Sequence, residues 1–173
     1  MILVSNHLLS LVSFIMPKDA VVRVNMAHVK DYDALVKAVD VKYDIFLDYP
    51  RNRTKPPVPK MGTTEMGKVI NKYQSIKYLA VSNIETRADV DKWSWMLPER
   101  VSFVPKIETR KGVENLGFIC KSDKVKYVML DSEDLYTDVG NDAITYTRLK
   151  NLVKYTCRVT NVELLQLYGV VFA

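Results

Sequence analysis

Cysteine and histidine are scarce: the 173 residues hold two of each. None of them falls at the spacing of a zinc site, so a zinc centre has no support. Cys120 and Cys157 lie far apart in segments of helical pattern, which reads as a reduced, cytoplasmic protein and leaves one disulfide as the alternative. No GxGxxG follows the first strand pattern and no GxxxxGK[ST] occurs, which removes the dinucleotide loop and the phosphate loop. Low-complexity runs and long polar tails are missing too. The opening Met1–Met16 is apolar, but no basic residues precede it and no small-residue cleavage site follows. It is also too short and, with Ser5, Asn6, His7, Ser10 and Ser13, too polar to span a bilayer.

What is present describes an ordinary soluble globular chain. Hydrophobic residues make up 48% and charged residues 26%, enough for a core at the size of one domain. The formal net charge of +5 suits nucleic acid, a membrane surface or a small anionic ligand. The lysines and arginines are spread along the chain, not blocked, and no RNA-binding or helix-turn-helix signature accompanies them. A small anion is therefore preferred to nucleic acid or a membrane.

Apolar β-branched runs alternate with helical patterns. Strands are expected at Ile2–Ser5, Ala20–Asn25, Tyr43–Asp48, Ile76–Ser82, Val101–Ile107, Tyr127–Leu130 and Leu164–Phe172. Helices are expected from Asn6 onward and at Asp31–Val39, Thr63–Tyr73, Arg87–Leu97, Gly112–Cys120 and Thr145–Val159. Four prolines and four basic residues make Tyr49–Lys60 a loop. A local repeat places Asn83-Ile-Glu-Thr-Arg87 and Lys106-Ile-Glu-Thr-Arg110 at equivalent points, each between a strand and a helix. The expected fold is α/β, a single-domain, shortened parallel (β/α) barrel of the TIM type over residues 1–173. It has room for about six or seven units where a full barrel takes about 250 residues, and is incomplete at one or both ends.

In parallel α/β proteins, ligands bind where strands end. Val101–Gly112 and Lys126–Gly140 each run from an apolar strand into charged residues. Lys106 and Glu108 alternate with Pro105 and Ile107, so both face one side of a strand end. Asp134 is expected to terminate the next strand, with Asp131 and Glu133 as alternative ligands beside it. Two carboxylates from neighbouring strand ends, next to a lysine, suggest a hard divalent cation (Mg²⁺ or Mn²⁺) holding an anionic substrate.

Taken in order, RVNMAH, LDYPRNRT, LAVSNIETRADV, PKIETRKGVENL and VMLDSEDL resemble the barrel of pyruvate kinase. The VRVN, IET and SEDL stretches are similar to citrate lyase β chains and 2-oxo-acid aldolases of the same phosphoenolpyruvate/pyruvate superfamily. The likeness runs from about Ala20 to Val171 and is most specific over Ser82–Leu135. It implies that Glu108 and Asp134 ligate the metal and that Lys106 is catalytic, beside the enolate. It assigns Arg23 to substrate binding and catalysis, and Arg53 and Asn25 to substrate binding. Asn25 and Asp48 fall on positions linked to a monovalent cation, K⁺, and His28 follows at the equivalent place. Departures accompany the likeness. Met26-Ala27 replace Phe-Ser, which removes a cation-ligating hydroxyl, and Ser132-Glu133 replace Arg-Gly and lie closer to citrate lyase. Only the proline-rich loop stands where pyruvate kinase inserts its lid.

The resemblance implies a divalent-metal-dependent enzyme acting on pyruvate, phosphoenolpyruvate or a related 2-oxo-acid through a metal-stabilised enolate. Carbon–carbon lyase or aldolase chemistry leads. Pyruvate kinase-type phosphoryl transfer and a degenerate, non-catalytic binding or assembly barrel are the alternatives. A homo-oligomer is expected, because it would cover open strand edges. Plainer roles compete at several positions: a buried ion pair of Arg23 with Asp48, a loop role for His28, a structural or surface role for Glu85, and helix packing for Trp93 and Trp95.

Overall fold

Runs such as AVVRVN and IFLDY are apolar enough to be covered on both faces, which is what a parallel sheet flanked by helices requires. A computed structural model of the chain describes residues 1–5, 19–53 and 56–166. The helix expected after Asn6, residues 54–55 of the proline-rich loop and the part of the last strand beyond Gln166 lie outside them. Seven strands are described: β1 (Ile2–Ser5), β2 (Ala20–Asn25), β3 (Ile45–Tyr49), β4 (Ile76–Val81), β5 (Ser102–Ile107), β6 (Tyr127–Leu130) and β7 (Glu163–Gln166). Between them lie α1 (Tyr32–Val39), α2 (Thr63–Lys72), α3 (Arg87–Ser94), α4 (Arg110–Glu114), α5 (Leu116–Ile119), α6 (Ser132–Asp138) and α7 (Ala143–Val159). A 3-10 turn covers Met26–His28. The fold class is α/β, a shortened parallel (β/α) barrel of the TIM type. The chain divides into two compact units, residues 1–82 with 95–103, and residues 83–94 with 104–173.

In the first unit β1, β2, β3 and β4 pair in chain order, all parallel. Asn25 stands opposite Asp48 and Tyr49 opposite Val81. Val22, Val24, Phe46 and Leu47 of the sheet are fully covered, as are Leu35 and Val39 of α1 and Met66 and Val69 of α2. Each such side chain contributes about 1.5–3 kcal/mol by leaving water. Asp31 caps α1, its carboxylate accepting from the Ala34 N–H at 2.8 Å. At the other end of α2, the Arg100 guanidinium donates to the carbonyls of Ile70 and Tyr73, groups a helix end leaves without partners.

The second unit is built on β5, β6 and β7, again parallel and in chain order, with Ile107 opposite Leu130 and Val128 opposite Leu164. Three of its helices start on side-chain caps: Thr109 for α4, Asp131 for α6 and Asp142 for α7. Three expectations change here. Strand β6 ends at Leu130, so Asp134 does not terminate a strand; it sits in the first turn of α6. The Asp131-Ser-Glu-Asp134 spacing is that of a capping box, and it starts a helix at once. The helix expected over Gly112–Cys120 is two short ones, broken at Asn115, whose side chain donates to the Glu85 carbonyl at 2.9 Å. Helix α3 stops at Ser94, short of Leu97, and leaves Trp95 79% exposed while Trp93 is buried. Helix packing accounts for Trp93 alone.

Gly112 is a tight spot. A Cβ there would sit 2.9 Å from the backbone oxygen of Ile84, whereas a Cβ at Gly117 meets nothing within 4 Å. Gly112→Ala should therefore destabilise the protein by about 1–3 kcal/mol through overpacking against a backbone atom that cannot swing aside. Gly117→Ala should be neutral or stabilise by up to ~1 kcal/mol through helix propensity. Urea denaturation followed by circular dichroism separates the two; equal effects would contradict this packing.

Candidate metal centre

Strand alternation brings Lys106 and Glu108 to the same side at the end of β5, as the spacing predicts. Both are buried, at 4% and 5% exposure, and the Lys106 ammonium lies 3.0 Å from Glu108 Oε1. The second carboxylate oxygen of Glu108, Oε2, accepts from the Asn83 N–H at 3.0 Å. Burying two charges is tolerable only when each meets the other and the remaining lone pairs are served. Here a backbone donor serves one of them.

The next strand delivers the rest. The Asp131 N–H donates to the Ile107 carbonyl at 3.1 Å, which fixes the end of β6 against the end of β5. Asp131 then does two things. Its Oδ1 accepts from the Asp134 N–H at 3.4 Å as the cap of α6, and its Oδ2 lies 3.7 Å from the Lys106 ammonium. Glu108, Asp131 and Asp134 each present a carboxylate oxygen, and all three oxygens fall within 4.8 Å of one another. Glu108 is buried, Asp131 half-buried and Asp134 exposed, so the cluster runs from the core to solvent. With Lys106 the local charge is −2, by counting three carboxylates and one ammonium. All-oxygen donors at this separation match what magnesium or manganese takes, one or two carboxylates with substrate oxygens and waters completing the shell. The donor set fits.

The first copy of the repeat supports the second. Ile84 N–H donates to the Lys106 carbonyl at 3.2 Å, and Asn83, which donates to Glu108, holds a left-handed backbone at φ 55°. Glu85 accepts from Thr109 Oγ1 at 3.0 Å and pairs with Lys111 at 2.9 Å. Its role is structural, and the equivalent position in the second copy, Glu108, points a carboxylate into the cluster. The sequence reading missed the Asn83 backbone donor; the NIETR/KIETR repeat was the signal for it.

The other predicted residues lie in the first unit. Arg23 is ion-paired with Asp48, its Nε donating to Oδ2 at 3.0 Å and its Nη2 to the same oxygen. Asp48 is buried and Arg23 half-buried. Asn25 Oδ1 accepts from the Ala27 N–H at 3.0 Å and caps the 3-10 turn. Arg53 and His28 are exposed, Arg53 in the loop after β3 and His28 at the end of that turn. Asn25 and Asp48 face neighbouring register positions but are engaged by protein groups, so K⁺ rests on resemblance alone.

No protein-family model and no curated protein matches this sequence. Solved structures do match it. An HpcH/HpaI aldolase from Desulfitobacterium hafniense superposes with a TM-score of 0.67 at 12% identity, over 87% of this chain and 69% of that one. A citrate lyase from Burkholderia xenovorans gives 0.73 at 7%, over 96% and 60%. The fold is that of the aldolase and citrate lyase barrels. A third structure, the protein CitE from Mycobacterium tuberculosis solved with magnesium and acetoacetate, gives 0.60 at 14%, over 84% and 63%. The citrate lyase and aldolase side of the sequence resemblance thus has a structural counterpart.

The buried ion pair makes a prediction of its own. Lys106→Met leaves Glu108 and Asp131 without their ammonium and should cost about 3–5 kcal/mol of stability. Adding Glu108→Gln should restore part of that loss, because the two changes share one interaction. Urea melts of the two single variants and the double variant measure the coupling; strict additivity would show that the pair contributes nothing.

Proposed function

We propose that this chain is a divalent-metal-dependent enzyme of carbon–carbon lyase or aldolase type, acting on pyruvate or a related 2-oxo-acid through an enolate. One observation carries the reading: oxygens of Glu108 after β5, of Asp131 after β6 and of Asp134 in the first turn of α6 converge within 4.8 Å, beside a buried lysine. It is supported by a fold shared with a solved aldolase, a solved citrate lyase and the protein CitE, the last holding magnesium and acetoacetate.

In this proposal Glu108 and Asp134 hold Mg²⁺ or Mn²⁺, and Asp131 adds a third oxygen donor. The ion, when bound, supplies Lewis-acid polarisation of a 2-oxo-acid carbonyl. The protein's own groups do the remainder. Glu108 is fixed by the Asn83 N–H, so it needs little reorganisation as charge develops, and the first turn of α6 seats Asp134 beside it. Lys106 lies between Glu108 and Asp131, where its ammonium stabilises negative charge on an enolate oxygen and is placed to deliver a proton. Arg23, Arg53 and Asn25 are assigned to the substrate anion by resemblance.

Calorimetric titration with Mg²⁺ or Mn²⁺, with and without oxalate as an enolate mimic, tests the metal. One ion should bind, oxalate should bind only with it, and Glu108→Gln or Asp134→Asn should weaken the ion by on the order of tenfold or more, ~1.4 kcal/mol. Exchange of pyruvate methyl protons with D₂O, followed by NMR, tests the chemistry and should require both the metal and Lys106. A folded protein that binds no metal, or whose Glu108→Gln variant binds as wild type does, overturns the proposal.

A further inference from the structure

Helix α6 carries an aspartate that the proposed centre does not use. Asp138 is the last residue of α6, where the negative end of the helix's own backbone dipoles disfavours a carboxylate. Its partner lies on another element. Asp138 Oδ2 accepts from the Arg110 N–H at 2.7 Å, and Arg110 opens α4 two residues after Glu108. Helix α6 is thus fastened at both ends to the segment that carries Glu108. Its cap residue, Asp131, donates its N–H to the Ile107 carbonyl at 3.1 Å, and its last residue accepts from Arg110. The two fastenings are seven residues apart, about 10 Å along a helix. Asp134 lies between them, four residues before Asp138 and so on the same face.

Something must hold Asp134 in place. Three carboxylates with oxygens within 4.8 Å of one another repel, and Asp134 is the exposed member, with room to swing away. Tyr136 meets the Tyr146 ring edge-on at 5.4 Å, which ties α6 to α7 and not to the Glu108 segment. The cap bond alone would leave α6 a pivot. We propose that Asp138 is a positioning residue for the metal centre. Its bond to the Arg110 N–H stops α6 turning about its cap, and so keeps Asp134 within reach of an ion held by Glu108. The inference rests on the metal-centre reading and adds to it a residue that touches neither ion nor substrate, as groups that orient metal ligands do. The bond needs an acceptor oxygen at position 138, not a charge. That difference separates positioning from long-range electrostatics.

Mn²⁺ affinity is measured by calorimetry for wild type, Asp138→Ala and Asp138→Asn, and for each variant combined with Asp134→Asn. Asp138→Ala should bind Mn²⁺ roughly tenfold more weakly, the lower end of what removing a ligand-orienting group costs. Asp138→Asn loses the charge but keeps a carbonyl oxygen, and should recover most of that loss. In Asp138→Ala, adding Asp134→Asn should cost little more, because the ligand it removes is already displaced. Exchange of the Arg110 amide with D₂O, followed by NMR without metal, should speed up in Asp138→Ala and not in Asp138→Asn. Asp138 is exposed, so truncating it leaves no cavity, and circular dichroism checks that the variants are folded. Wild type binding no Mn²⁺ would remove the centre and this inference with it. Wild type binding Mn²⁺ with Asp138→Ala unchanged, or with the Ala and Asn variants weakened alike, would overturn the positioning role and leave the centre standing.

Discussion

The ion pair of Lys106 with Glu108 is the constraint on which the second unit is arranged. A lysine and a glutamate at about 5% exposure cannot stay charged in an apolar layer unless each is answered. Three different parts of the chain answer them. The strand β5 sets their spacing, the Asn83 N–H takes one oxygen of Glu108, and Asp131 comes up behind the ammonium from the end of β6. Moving any of these leaves a buried charge unmatched. The ends of β5 and β6 and the Asn83–Glu85 stretch are therefore held in one geometry, and a site that must preorganise charge benefits from that rigidity.

The repeat explains how so small a chain holds such a cluster. In one copy of the IETR sequence the glutamate braces the other copy through Thr109 and the adjacent Lys111, while the other offers its glutamate to the cluster. The same four residues serve as scaffold and as site because the backbone around Asn83 turns through a left-handed conformation that asparagine accepts. The acidic residues of α6 are placed by a related economy. Asp131 caps the helix and Asp134 occupies its first turn, where the positive end of the backbone dipoles favours a carboxylate. A geometry that satisfies helix ends thereby also gathers negative charge.

Much of this was legible in the residues. The β-branched runs and the alternation of Lys106 with Glu108 are local signals, and the strands they predict among the described residues are present with ends moved by a few positions, while the helix expected over Gly112–Cys120 is split in two and α6 was not expected. Asp134 was read as a strand end because Tyr127–Leu130 is followed at once by charged residues; the capping spacing that starts α6 is as strong a signal and pointed elsewhere. Trp95 was assigned to helix packing together with Trp93, but residues two apart lie on different faces of a helix and α3 stops at Ser94, before Trp95. The Asn83 donor is a product of how separate elements pack, and the NIETR/KIETR repeat was its signal in the sequence.

The central claim is that Glu108 and Asp134, with Asp131, form one cation site. The most direct test is a crystal soaked in Mn²⁺ and measured at a wavelength where manganese scatters anomalously. A single strong peak within coordination distance of Glu108 and Asp134 oxygens is the predicted result. A folded protein with no peak there, with the Lys106 ammonium still seated on Glu108 at high Mn²⁺, would contradict the account.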